Sequence, residues 1–260
     1  MEFRKAPDLV GRLSPQTMMQ QGAGLQRLAR RVLEYGLLPI LLLAAGIRFY
    51  DLTAAAIWGD EGSSLLLSQY SLIEIWRHAA RDVHPPLYFM LLHGWIALFG
   101  DGILSVRMFS AVPGIVTVGL GVWLVALLAG RRAAILAGVL LALLPTAVRY
   151  SQEVRMYALL GMLLLGATLA LAYWVRQPRR RRYLLIYSLL LALAFYTHYF
   201  TVLCVLAHWL YLALSGARGE DGRRLLGRPV WWLANALVVL YQPQRAPDTL
   251  SRCALLQVAR

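Results

Sequence analysis

The 260-residue chain is 59% hydrophobic and 15% charged, with a mean hydropathy of +0.58 and a formal net charge of +13. Soluble domains carry about a quarter charged residues, whereas here apolar residues come in long blocks, at 36–57, 108–130, 133–148, 157–175 and 183–215. This excludes an ordinary soluble fold and predicts an all-α, polytopic transmembrane helix bundle, since about 20 apolar helical residues cross the bilayer hydrocarbon.

In chain order, residues 1–35 are polar and contain arginine, with no short apolar core before a small-residue cut site; they read as a cytoplasmic segment, not a leader. Residues 36–57 form the first span, with Arg48 near its outer end expected to snorkel to the interface. The expected domain layout is 1–35, a transmembrane domain over 36–241, and an atypical polar tail over 242–260.

Charge placement decides what the net charge means. Arg131-Arg132, the arginine run 176–182 and the arginines of 218–228 all lie in short connections between apolar blocks. Grouped with the N-terminal segment they give one side 17 Lys/Arg and 5 Asp/Glu, and leave the other with 6 Arg and 7 acids. By the positive-inside rule the basic side is cytoplasmic, and no nucleic-acid partner is implied.

Parity then fixes the path. If 36–57 runs outward and 107–130 returns, 58–106 is an outer loop. The 14 apolar residues 86–99 start and end on that side, as an interfacial or re-entrant helix. Residues 133–148 exit at Arg149, and 149–156 form a second outer loop. The 33 residues 183–215 would span about 50 Å as one helix, so they fold as a hairpin broken at Thr197-His198-Tyr199. Six crossings result, with 229–241 opening a seventh. Cys204 and Cys253 imply no disulfide framework.

Three outer segments carry chemistry. In Trp58-Gly59-Asp60-Glu61 the adjacent carboxylates suit a general base; structurally, Asp60 as N-cap and Glu61 in the first turn would open a helix over 63–80. In His84-Pro85-Pro86-Leu87-Tyr88 the prolines hold His84 at a helix entrance, free to donate to an anion or sugar hydroxyl, the alternative being a solvated loop histidine. In Tyr150-Ser151-Gln152-Glu153-Val154-Arg155-Met156-Tyr157, Arg149 and Glu153 are spaced for a helix-surface ion pair, while arginine's fork also suits phosphate. His93 and His208 read as packed histidines.

The order W-x-D-E, H-P-P-L-Y, an Arg-led span, Y-S-Q-E-x-R-x-Y and T-H-Y-F resembles the polyprenyl-phosphate-sugar-dependent glycosyltransferases of the GT-C fold. It looks most like the bacterial glycosyltransferase family 39 proteins, relatives of the protein O-mannosyltransferases and the lipid A aminoarabinose transferases, over roughly residues 36–215. The resemblance implies a GT-C bundle with juxtamembrane helices in the first outer loop. It implies that Asp60 is the base, with Glu61 its acidic neighbour, and that His84 opens a juxtamembrane helix. Glu153 and Arg155, with Tyr157 closing their motif, lie close to donor and acceptor, and His198 and Tyr199 form a polar pair at a helix end.

The expected reaction is a single inverting displacement at the extracytoplasmic face of the cell inner membrane. A polyprenyl-phosphate-linked sugar donor, its phosphate on Arg149 or Arg155, meets a hydroxyl of a lipid, glycan or protein acceptor. Positive charge replaces a general acid; a divalent metal ion on Asp60 or Glu61 could do the same, although no ligand cluster marks one. The competing class is a transporter or other non-enzymatic membrane protein. An outer cavity joining Asp60, His84 and Glu153 would favour the enzyme, and a polar midplane site the transporter. The abrupt change after 229–241 reads as a truncated or frame-shifted glycosyltransferase without activity of its own.

Overall fold

The computed structural model describes residues 36–79, 84–219, 222 and 224–240. Residues 1–35, the tail 242–260 and Asp82 lie outside these. The described residues form eleven α-helices and no β-strand: α1 Leu38–Phe49, α2 Gly59–Ser68, α3 Leu72–Ala79, α4 Leu87–Phe99, α5 Ile103–Ala129, α6 Arg131–Leu143, α7 Pro145–Gln152, α8 Tyr157–Arg176, α9 Arg182–Phe195, α10 Thr201–Ser215 and α11 Pro229–Leu240.

Local chemistry sets several boundaries. Ser71 and Glu74 form a capping box at α3: the Ser71 hydroxyl and N–H both donate to the Glu74 carboxylate, at 2.7 and 3.1 Å. Pro86 caps α4 and Gly100, at φ +81°, ends it. Gly130, at φ +85°, makes the sharp turn from α5 into α6 that a side chain would strain.

Only α5 and α8 are long and apolar enough to cross a membrane on their own, among the described residues. The pair α6 and α7, bent by 54° at Leu144, makes a third if it is counted as one span. The other apolar helices have 12–15 residues. Among the described residues, two helices, or three with the bent pair, therefore have the length of a full crossing where six crossings were expected. The block 36–57 stops being helical after Phe49, where turns begin and Asp51 takes φ +55°. The block 183–215 gives up 196–200 to the break between α9 and α10, at the expected Thr197-His198-Tyr199. The helix expected over 63–80 is likewise two helices, with Trp58, not Asp60, at the N-cap of the first.

Contacts sort the helix ends into two groups. At one end Arg48 of α1 meets Ser151 of α7, Arg107 of α5 meets Glu61 of α2, and the Leu87 N–H of α4 donates to the Tyr196 carbonyl after α9, at 3.0 Å. At the other, Arg176 of α8 donates to the Leu127 carbonyl of α5, and Trp174 stacks on Trp231 of α11. The arginine-rich connections all fall at this second end, as the charge asymmetry requires.

Arg48 does not snorkel. It is 1% exposed and donates to Ser151 Oγ at 3.2 Å and to the carbonyls of Ala142 and Leu141, at 3.2 and 3.3 Å. The reason lies in the bend. Pro145 has no N–H, so the Leu141 carbonyl four residues earlier loses its helical donor, and the guanidinium takes that place. The fit is close: a Cβ on Gly114 of α5 would stand 2.1 Å from Ser151 Oγ and 3.2 Å from Arg48 Nε.

Three apolar cores hold the bundle. Ile40, Ala44, Val118, Val122 and Ala134 join α1, α5 and α6. Ile75, Tyr88, Leu92, Val106 and Met156 seat α3 and α4 against α5 and α8. Trp174, Tyr187, Leu191, Leu212 and Trp231 join α8 to α11. Exposed Leu42, Leu136, Leu140, Leu189, Leu210 and Leu214 give the bundle the apolar exterior suited to lipid.

Candidate active site

The two adjacent carboxylates part company at the start of α2. Glu61 is fully buried. Arg107 grips it with both arms of its fork, Nε to Oε1 at 3.1 Å and Nη2 to Oε2 at 2.8 Å, and the Val154 N–H donates to Oε1 at 2.9 Å. Arg107 also donates to the carbonyls of Leu52 and Ala55, at 2.8 and 2.9 Å, so one guanidinium fixes the turn after α1 and the start of α2 together. Asp60, by contrast, has a side chain 53% exposed, with Arg155 Nη2 3.6 Å from its Oδ2.

Each residue of the 150–157 motif has its own partner. The rings of Tyr150 and Tyr157 lie 4.6 Å apart. Ser151 receives Arg48, and the Gln152 side chain donates to the carbonyls of Arg48 and Tyr50, at 3.3 and 3.1 Å, covering the orphan end of α1. Glu153 accepts from Arg149 Nε at 2.9 Å, the expected i,i+4 pair, with Arg149 largely exposed. The Val154 N–H holds Glu61. Arg155, 7% exposed, donates to the Asp60 carbonyl at 3.3 Å and lies over the Tyr157 ring at 5.7 Å. Its Nε is buried with no hydrogen-bond partner among the described residues.

The break between α9 and α10 closes on this group. His198 lies 6.1 Å from the His84 ring and 6.1 Å from the Tyr157 ring. The Phe200 N–H donates to His198 Nδ1 at 3.1 Å, so the neutral ring carries its proton on Nε2. Burial lowers the His198 pKa below the ordinary histidine value, and the nearby His84 and Arg155 charges lower it further. Tyr199 sits half-buried in the same turn.

Asp60, Arg155, Tyr157, His198 and His84 are thus brought together from four parts of the chain. Arg149 and Glu153 face a different space, a cavity of about 480 Å³ lined by Ile47, Trp58, Glu61, Arg107, Arg149 and Glu153 among others. Neither Asp60 nor His84 lines it, so the cavity joins only part of the expected set. Deeper in the bundle, His208 hydrogen-bonds Thr168 Oγ1 at 3.0 Å and Tyr187 OH at 3.3 Å, as a packed histidine should. The groups do not suit a metal ion: Glu61 is committed to Arg107 and Val154, and no group of three His, Cys, Asp or Glu able to hold one occurs among the described residues.

Arg107 and Gln152 were not singled out by the sequence as site residues. The signal for Arg107 was present, since it is a lone arginine at the mouth of the most apolar long helix. Such a charge needs a buried partner, and Glu61 is that partner.

Residues 83–242 match the family described as dolichyl-phosphate-mannose-protein mannosyltransferase, well over half of the chain. The chain matches no curated protein and no solved structure. The matched region includes His84, Arg149, Glu153, Arg155, Tyr157, His198 and Tyr199, and begins after Asp60 and Glu61.

Proposed function

Because the chain belongs to the dolichyl-phosphate-mannose-protein mannosyltransferase family, a family of membrane glycosyltransferases, we propose that it moves a sugar from a polyprenyl-phosphate donor to an acceptor hydroxyl, with inversion, at the Asp60 end of the bundle. The positive-inside rule makes that end extracytoplasmic. The observation that carries the reading is the exposed Asp60 carboxylate set beside the buried Arg155 guanidinium, among His84, Tyr157 and His198.

In this mechanism the prenyl tail lies in the bilayer and the donor phosphate meets Arg155, whose Nε has no acceptor among the described residues. The Asp60–Arg155 contact, at 3.6 Å, is long; an arriving phosphate competes for the guanidinium and frees Asp60 Oδ2 to accept a proton. The acceptor oxygen attacks the anomeric carbon opposite the phosphate and gives its proton to Asp60. The carbon–oxygen bond to phosphate breaks, and the polyprenyl phosphate leaves with the electron pair, its charge held by Arg155. Glu61 acts as a positioning residue through Arg107 and the Val154 N–H. His84, Tyr157, His198 and Tyr199 would line the sugar and acceptor side, and Arg149 with Glu153 the neighbouring cavity. The acceptor class is a lipid, glycan or protein hydroxyl.

The test uses the full chain, and a version extended by a homologous C-terminal half if the chain alone shows no transfer, in nanodiscs with a panel of radiolabelled polyprenyl-phosphate sugars. Asp60→Asn should lower turnover by about 10²–10⁴-fold with donor binding nearly unchanged, and Arg155→Ala should weaken donor binding. Near-normal turnover by Asp60→Asn refutes the base assignment.

A further inference from the structure

Along α10 only Thr201, His208 and Leu212 are buried, a single narrow stripe, while Leu203, Leu206, Leu210, Tyr211 and Leu214 are exposed. In a bilayer an apolar side chain gains little by leaving lipid for protein, so hydrophobicity alone does not seat such a helix; polar contacts between helices weigh more. Trp209 Nε1 ties α10 to α11 by donating to Asn235 Oδ1 at 3.0 Å. His208 reaches the other way, to α8 and α9 at once. The Thr168 hydroxyl of α8 gives its one proton to the Leu164 carbonyl, at 2.8 Å, so toward His208 it accepts, and His208 Nε2 carries the N–H, at 3.0 Å. Nδ1 is then the acceptor for the Tyr187 hydroxyl of α9, at 3.3 Å. One neutral ring thus links three helices with both its nitrogens satisfied.

The same three helices meet again at His198. Its N–H donates to the Ala194 carbonyl at the end of α9, at 2.8 Å, and its carbonyl accepts from the Thr201 hydroxyl and N–H at the start of α10, at 2.8 and 3.2 Å. His198 is therefore the pivot between α9 and α10, and the direction of its ring follows the angle between them. Tyr157, which that ring faces, is the first residue of α8. Seen from this pivot, His208 lies about 10 Å along α10, where a contact to α8 and α9 fixes the angle with the leverage of two helical turns.

We propose that His208 is a positioning residue: a polar latch that sets α10 against α8 and α9 and thereby holds His198 beside Tyr157 and His84 at the Asp60 end. Its effect on sugar transfer rests on the reaction proposed above; the latch itself does not.

Electron–electron double resonance on the full chain in nanodiscs reads the latch without any activity. Spin labels on Leu203→Cys or Leu210→Cys of α10, each paired with one on Leu136→Cys of α6, all at exposed positions, are measured in a background of Cys204→Ser and Cys253→Ser. Both distance distributions should be narrow with His208 present. In His208→Leu they should widen by about twofold or more, because leucine sits as well in lipid as in the seam. Thr168→Val removes only the acceptor and should act in the same direction, which decides the matter should His208→Leu fail to fold. His208→Gln still carries an N–H for Thr168 and should stay near wild type, and Trp209→Phe breaks only the tie to α11 and should leave both distances narrow. Unchanged distances in His208→Leu and Thr168→Val, or equal widening in Trp209→Phe, would overturn the latch. Turnover of the radiolabelled donor then tests the positioning. His208→Leu and His198→Ala should each lower it by about tenfold or more, and the double variant should be no worse than the poorer single one, since both remove the same ring from the site. Additive losses would overturn the positioning role. An inactive wild type would count against the proposed reaction alone, and the Leu203 distance, read in the first turn after His198, would still decide whether His208 places that turn.

Discussion

Asp60 and Glu61 are covalent neighbours in opposite environments. Asp60 is half exposed, while Glu61 shares a bidentate pair with Arg107 and takes an N–H from Val154. Removing one member of a buried ion pair leaves the other charge uncompensated, at a cost of about 3–5 kcal/mol. Glu61→Ala should therefore lower the thermal midpoint sharply, whereas Asp60→Asn should barely move it. Joint replacement of Glu61 and Arg107 by leucine and methionine should recover only part of the loss, because no orphan charge remains but the Leu52 and Ala55 carbonyls and the Val154 N–H lose their partners. A double variant as unstable as Glu61→Ala alone would count against the pair as the source. His198 gives a pH signature. Its folded pKa is lowered, so protonation favours the unfolded chain: its contribution is full above about pH 6.5 and is lost as pH falls below that value. Thermal scans from pH 7.5 to 5 should show this decline in the wild type and a flatter profile in His198→Asn.

At the scale of elements, Arg48 and Pro145 form a matched pair on different helices. The proline breaks the α6–α7 rod by withdrawing a donor, and the arginine supplies donors to the exposed carbonyls. Arg48→Leu should destabilise by about 1–3 kcal/mol for each buried carbonyl left without a donor. Adding Pro145→Ala restores an N–H opposite the Leu141 carbonyl and should return part of that stability, so a double-mutant cycle should show coupling. Strict additivity would mean that Arg48 and Pro145 act separately. These contacts also show what the sequence could reveal. The helix entry at Pro85-Pro86 and the break at Thr197-His198-Tyr199 are local rules and were legible, whereas the capping box at Ser71 and Glu74 was passed over when one helix was expected across 63–80. The burial of Arg48 depends on Ser151, 103 residues later, which no local pattern announces, and although a lone Arg107 at a helix mouth calls for a partner, nothing local names Glu61 as that partner. The apolar blocks are also longer than the helices in them, because apolarity continues through the turns after Phe49 and at 196–200.

For the whole molecule, the two ends differ in composition as well as charge. One collects Asp60, Arg155 and the juxtamembrane helices α2 to α4; the other collects the arginine connections. Single cysteines at Ser71 and Asp101, both exposed, should react with an impermeant thiol reagent added from the extracytoplasmic side, in a background lacking Cys204 and Cys253. Labelling of Asp101 from the cytoplasmic side alone would place α4 across the membrane and reverse the orientation proposed for everything after it.

Glu61 also implies a timetable. Its two partners are encoded 46 and 93 residues downstream of it, and the histidine facing His84 comes later still. As the chain leaves the ribosome and enters the bilayer, the buried carboxylate arrives first and must wait, solvated, until α5 has been inserted and the segment after α7 has been delivered. The Asp60 end of the bundle is therefore closed only late in synthesis, and a nascent chain halted before residue 154 would carry Glu61 without the Val154 N–H that helps to fix it.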